Sequence, residues 1–297
     1  MKMVRLLATG VLVSLAAAGI AFGDAAPDPL NSGLAPSART HHIWMADEEV
    51  NIHLGEETVS VDATFRFANL SEKKTTLEVG FPTDYRDDVE DLEVFVNGKN
   101  VTYRETKEKL YYPETIDEDG ITVNWALWDM TFPGKSETKL NVSYKVRPRK
   151  NHDFIITPYR NFIEKIETDM PQEPPADSTV GRLLAGMETF STGYILVTGS
   201  GWYGSIGEAI INVFYEAKGP GVIRWFHPEE DYEFLPDRLQ WKFYSLDPTF
   251  NIQLEFNPSF TVDEEISLVT EALGSDSKNQ GLKDLLLFLR DLKEKKK

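Results

Sequence analysis

The chain contains no cysteine. That excludes disulfides, thiolate metal sites and cysteine nucleophiles. Its histidines are few (His41, His42, His53, His152 and His227), and none stands at a metal-ligand spacing such as H-E-x-x-H. Basic residues are scarce: 31 Lys and Arg against 48 Asp and Glu give a net charge of −17. Such a surface repels phosphate backbones and anionic lipid, which excludes nucleic acid as a partner. No apolar run beyond the N-terminus is long enough to cross a bilayer. No G-x-S-x-G is present, so the strained turn of a serine hydrolase is missing. Among so many acids, spacing alone singles out no carboxylate pair. No catalytic constellation is found, and the expectation is a protein that is not an enzyme.

What is present begins with an address. Lys2 and Arg5 form a short basic region, and Leu6 to Phe22 is apolar except for Thr9 and Ser14. Ala21 and Gly23 place small residues where a signal peptidase reads, so residues 1–23 read as a signal peptide cut before Asp24. The rival reading is an uncleaved anchor, for which the run is at the short limit. No cysteine follows the run, so a lipoprotein is excluded. The expectation is an exported protein, periplasmic or extracellular, with no stable membrane insertion after cleavage. Removing Lys2 and Arg5 takes the basic count from 31 to 29 against 48 acids, moving the net charge from −17 to −19. An exported chain without cysteine points to a bacterial envelope. The sequons at Asn69, Asn100 and Asn141 are then incidental.

The most distinctive run is Tyr194-Ile-Leu-Val-Thr-Gly-Ser-Gly-Trp-Tyr-Gly-Ser-Ile-Gly207. It holds a formal G-x-G-x-x-G at Gly199, Gly201 and Gly204. A dinucleotide loop needs a helix directly after it, to set its N-terminus against the pyrophosphate. Here Glu208-Ala-Ile-Ile-Asn-Val-Phe-Tyr215 follows, a β-branched and aromatic stretch that reads as a strand. Bulky Trp202 and Tyr203 stand where a cofactor must approach bare backbone. The run reads instead as a hairpin whose glycines give turn geometry and room for the Trp202 ring. It resembles the signature of a bacterial family of exported proteins known as a domain of unknown function. Val59–Asn69 with Leu77–Pro82, and Leu239–Tyr244 with Asn251–Phe256, agree with that resemblance. It implies an exported, β-rich protein and supplies no activity or catalytic residue.

Organisation follows from periodicity. Residues 24–42 are a Pro-, Ala-, Ser- and Gly-rich tail. Val59, Val61, Ala63, Phe65 and Phe67 alternate with polar residues, the mark of a half-buried antiparallel strand. Thr75–Phe81 reads as the returning strand. Leu92–Val96, Asn97-Gly98 and Val101–Glu105 read as a hairpin. Val123–Phe132 turns at Pro133-Gly134-Lys135 into Thr138–Val146. The spacing predicts a mainly β fold: antiparallel β-sandwich-like regions with a short helical C-terminus. A β-sandwich domain is expected over 43–149, a linker over 150–178 with a short helix at 162–168, and a second β region over 179–260. Strands are placed near 193–198, 208–216, 221–226, 238–244 and 250–256. Whether the second region extends the first sheet stays open. Residues 261–297 read as helices. Thr261-x-x-Glu264 has capping-box form, Gly274 is a candidate C-cap, and Leu282, Leu285, Leu286, Leu289 and Leu292 form one stripe. That last helix reads as docked on the sandwich, with partner binding as the alternative.

Two site chemistries remain. Asp117-Glu-Asp-Gly120 resembles the opening of a calcium loop, but Trp128 stands where an EF-hand needs its bidentate Glu. Asp117 and Asp119 are therefore candidate ligands of a structural Ca²⁺ only, and no other cofactor is expected. Trp125 and Trp128 differ by an odd number, so on a regular strand they face opposite sides. Trp128, Trp202 and Tyr203 are candidates for a binding surface, against core packing as the bland reading. The function these features suggest is a soluble, non-catalytic interaction module of the envelope whose partner is an envelope protein or a glycan. Carbohydrate binding through exposed Trp and Tyr is the alternative, and a carboxylate hydrolase the third.

Overall fold

The computed structural model describes residues 22–23, 26–27, 41–55, 57–83, 89–110, 121–150, 158–170, 174–215 and 218–296. The leader and tail expected from the sequence lie largely outside these residues. The first half of the chain gives β1 (Phe22–Gly23), β2 (Ala26–Pro27), β3 (Ile43–Leu54), β4 (Val59–Asn69), β5 (Thr75–Thr83), β6 (Val89–Val96), β7 (Lys99–Asn100), β8 (Arg104–Leu110), β9 (Ile121–Phe132), β10 (Glu137–Val146) and β11 (Arg149–Lys150). Two helices follow, α1 (Pro158–Asp169) and α2 (Thr179–Gly186). Next come β12 (Phe190–Ile195), β13 (Ile206–Tyr215), β14 (Ile223–His227), β15 (Tyr232–Phe234), β16 (Arg238–Leu246) and β17 (Ile252–Phe256). The chain closes with α3 (Val262–Ser275) and α4 (Gln280–Lys295). The fold is mainly β with a helical C-terminus, as the periodicity predicts.

An eight-stranded sheet, ordered β15-β16-β13-β3-β4-β10-β6-β7, forms one layer. A four-stranded sheet, β2-β5-β9-β8, and a five-stranded sheet built on β1-β12-β17-β14 face it. All three contribute to one apolar core. The ring of Phe81 meets Tyr144 at 5.3 Å across one half, and Phe226 meets Trp241 at 5.9 Å across the other. The question left open by the sequence is answered by β13, which pairs in parallel with β3 from Glu208↔Asp47 to Tyr215↔Leu54. The second β region thus extends the first sheet.

Several expected hairpins are corners instead. β4 lies in the eight-stranded sheet and β5 in the four-stranded one; β9 and β10 are split in the same way. Asn69 fastens both corners. Its amide donates to the Lys73 and Phe132 carbonyls at 2.9 and 3.0 Å, and its oxygen accepts from the Ser71 backbone N–H at 2.9 Å. With that side chain buried, Asn69 has no amide left to carry a sugar. The Asn97-Gly98 turn forms as expected, both residues at positive φ, but β7 is short and pairs with β6 only at Lys99 and Asn100. The chain then crosses to the other sheet as β8, so Val101–Glu105 is not one returning strand.

The helical reading needs three corrections. α2 was not foreseen; Ser178 caps it by accepting from the Gly181 N–H. The Thr261 capping box forms, but α3 runs past Gly274 to end at Ser275. The α4 stripe does not dock on the sandwich core. Leu282, Leu285, Leu289 and Leu292 pack with Tyr159, Ile166, Val269 and Ala272 in a second apolar cluster shared by the four helices.

Candidate ligand-binding face

The Gly/Trp run forms the corner between β12 in the five-stranded sheet and β13 in the eight-stranded one, so it is no hairpin. Val197–Gly201 makes a short 3-10 helix, Gly204 takes φ of +73°, and a strand follows. The Trp202 ring sits where the sheets meet, 4.3 Å from Phe67 and 6.0 Å from Phe132. It is 1% exposed, and Trp128 is 3% exposed. Both are core anchors and neither offers a surface, because both side chains belong to the apolar core that the three sheets share. Trp125 is buried as well, so odd spacing on β9 does not expose either ring. Of the three surface candidates only Tyr203 is open, at 45%. Asp117, Asp119 and His152 lie outside the described residues. His42 donates to or accepts from Thr75 Oγ1 at 2.8 Å, and His227 stacks beside Trp225 with ring centroids 6.2 Å apart. Among the described residues no group of three His, Cys, Asp or Glu could hold a metal ion.

Two buried polar clusters were missed by the sequence reading. In the first, Glu265 Oε1 accepts from Arg224 Nη2 at 2.8 Å, Tyr159 Oη at 2.8 Å and Asn257 Nδ2 at 3.0 Å. Arg224 also donates to the Gly221 and Phe260 carbonyls. Burial works against the Arg224 charge, but Glu265 and Tyr159 outweigh it and raise the pKa. Burial, reinforced by Glu265, pushes the Tyr159 phenol well up. Lys296 reaches the Ile223 carbonyl at 2.5 Å nearby, and burial pushes its ammonium well below the usual lysine range. The second is Glu48, which accepts from the Tyr194 hydroxyl between the sheets. Arg224, Glu265 and Glu48 are enclosed, so they join elements rather than meet a substrate. An arginine inside the apolar run Val222–Phe226 was the one available signal.

The open chemistry lies on the outer face of the eight-stranded sheet. β4 and β10 alternate buried with open residues along their length, so one face is packed and the other is not. Register aligns a single polar row across seven strands: Glu233, Gln240, Asn212, Asn51, Asp62, Ser143 and Glu93. Within it the side-chain amides form a chain. Gln240 Nε2 donates to Asn212 Oδ1 at 2.7 Å, and Asn212 Nδ2 donates to Asn51 Oδ1 at 2.9 Å. The next row holds Arg238, Phe214, His53 and Ser60. The imidazole of His53 lies 4.7 Å from the Phe214 ring and 9° from parallel, with Arg238 5.7 Å from that ring on β16. On the other side Arg66 pairs with Asp47 and, at 2.8 Å, with Glu137, while Lys242 pairs with Glu208 at 2.9 Å. Tyr244 stands 66% exposed beside Lys242. Cross-strand neighbours of this kind lie ~5 Å apart, so the face is a dense array of donors, acceptors and rings, with Asn212 itself buried within it.

No protein-family model and no curated protein matches the chain. Among solved structures it is similar to a candidate nutrient binding protein from Legionella pneumophila. The two share 16% identity over 92% of this chain and 83% of that one, with a TM-score of 0.54. That likeness shows the fold. A zinc metallopeptidase from Deinococcus radiodurans aligns over 74% of this chain and 43% of its own at a TM-score of 0.32 and 10% identity. Leukotriene A4 hydrolase from Saccharomyces cerevisiae aligns over 72% of this chain and 29% of its own at 0.36 and 11% identity. The chain spans less than half of either enzyme, and similarity at those scores bears on neither fold nor activity. Among the described residues no helix is long and apolar enough to cross a membrane.

Proposed function

We propose that the chain is an exported, non-catalytic binding module of the bacterial envelope that presents the outer face of its eight-stranded sheet. The observation that carries this reading is the polar row from Glu233 to Glu93. It runs unbroken across seven strands, its Gln240–Asn212–Asn51 stretch is ordered by two amide hydrogen bonds, and it is flanked by the Phe214–His53 stack. Ordered side chains bind with less entropy to lose, which favours recognition on a preformed surface. Among the described residues Arg224, Glu265 and Glu48 are locked inside structural joints, whereas this face is open to solvent over much of its length. The fold shared with a candidate nutrient binding protein supports binding at the level of analogy. Export rests on the basic and apolar N-terminus, and a bacterial envelope on the absence of cysteine.

A photo-crosslinking amino acid placed at Tyr244, with a control at Lys107 on β8, tests the reading in cells. An adduct, protein or glycan, from Tyr244 and not from Lys107 is the expected result. Equal adducts from both positions, or none from Tyr244, overturn it.

A further inference from the structure

Resting on that reading, we propose that the face carries a subsite for a neutral, polyhydroxylated ligand, a glycan chain, centred on Asn51, His53, Ser60 and Asp62. These four residues form a two-by-two block on β3 and β4, with Asn51 opposite Asp62 and His53 opposite Ser60. All four are open or half-open to solvent.

The hydrogen-bonding state of the block selects the ligand. The amide chain runs in one direction, so Asn51 Oδ1 is used by Asn212 while Asn51 Nδ2 still has a donor to give. Directly across, the Asp62 carboxylate has no side-chain partner among the described residues and accepts only. A donor and an acceptor about 5 Å apart suit the two ends of a vicinal hydroxyl pair, since each hydroxyl both gives and takes a proton. A phosphate, sulfate or carboxylate ligand would meet Asp62 and a strongly negative protein, so charge disfavours it.

The ring geometry supplies the apolar contact. His53 has one face against Phe214. Its other face looks over Ser60, a small side chain, before the row continues to Lys145. That leaves a notch floored by a hydroxyl and walled by an imidazole plane, in which the C–H face of a sugar ring can stack. The same row keeps the imidazole wall upright, because Phe214 is itself held between His53 and Arg238.

The test titrates the full-length mature chain with cello-, chito- and malto-oligosaccharides, read by isotope-edited NMR and calorimetry. Binding of at least one, with shifts centred on Asn51, His53 and Asp62, is expected. Asn51→Asp keeps the acceptor for Asn212 and removes the outward donor, and it weakens binding about tenfold. Ser60→Tyr fills the notch from an open strand position and abolishes binding, while Lys107→Ala leaves it unchanged. Circular dichroism and melting checks that the variants fold. If none of the three sugars binds while Tyr244 still captures a protein, the subsite is wrong and the wider reading stands. If Tyr244 captures nothing and no sugar binds, both are wrong. Sugar binding that survives Ser60→Tyr overturns the location.

Discussion

Tyr194 on β12 donates a 2.8 Å hydrogen bond to Glu48 on β3, across the interface between the five-stranded and eight-stranded sheets. Glu48 is enclosed, and its second oxygen has no partner among the described residues. Burial pushes its carboxyl up to about 8, and the Tyr194 bond only partly offsets that. A buried acid with one donor is more easily carried neutral than charged. β3 places it there through a register shift between Met45 and Asp47, a bulge that turns the middle member of Asp47-Glu48-Glu49 inward.

Stability should therefore fall with pH. The folded state holds a proton on Glu48 that the unfolded chain, near 4.5, has released. The stabilisation is fully present below about 4.5, declines as the pH rises, and is lost above about 8. Glu48→Gln keeps an oxygen for Tyr194 and cannot ionise. Urea unfolding at pH 5 and pH 8.5 should show the wild type losing a few kcal/mol more than the variant across that interval. Parallel curves for the two proteins would show that Glu48 is not the titrating group.

The Arg224–Glu265 joint predicts that its two halves are coupled. Breaking a buried ion pair costs about 3–5 kcal/mol, because it leaves one charge without its counter-charge. Glu265→Gln strands the Arg224 guanidinium, which cannot give up its proton. Arg224→Met strands a carboxylate that still has Tyr159 and Asn257 as donors. The double variant strands neither charge, so it should cost clearly less than the sum of the two single changes. Additive costs in denaturant unfolding would contradict this assignment.

Much of this architecture was legible where one local rule decides. The alternation of Val59–Phe67, the Asn97-Gly98 turn and the Thr261 capping box each name their element without knowledge of the rest of the chain. What was not legible depends on distant partners. Whether Thr75–Thr83 pairs back on β4 or crosses to face it is set by Asn69 bonding to Phe132, far along the sequence. The parallel pairing of β3 with β13 joins segments that no turn connects. The Trp128 reading failed because Trp128 faces the shared core with Met130 and Phe132, and parity does not expose Trp125 either, since that ring is buried on the opposite side of β9. The amide row was invisible because Asn51, Asn212 and Gln240 look like scattered polar residues until register lines them up.

The corner between β12 and β13 separates two reasons for glycine. At Gly204 φ is +73° and nothing lies within 4 Å of where a Cβ would stand. Gly204→Ala should thus cost only the strain of a left-handed backbone, about 1–2 kcal/mol. At Gly207 the backbone angle is ordinary, but a Cβ would fall 2.3 Å from the Ala46 carbonyl and 2.8 Å from the Trp44 ring. Trp44 cannot retreat freely, since its indole N–H is held by the Ser205 carbonyl at 2.8 Å. The backbone beside Ala46 belongs to the bulge that aims Glu48. Gly207→Ala should therefore cost more than Gly204→Ala, about 2–3 kcal/mol, and should also flatten the pH dependence set by Glu48. A melting series at pH 5 and pH 8.5 reads both effects, and a Gly207→Ala protein as stable as Gly204→Ala would show that β3 and the corner are not packed against each other.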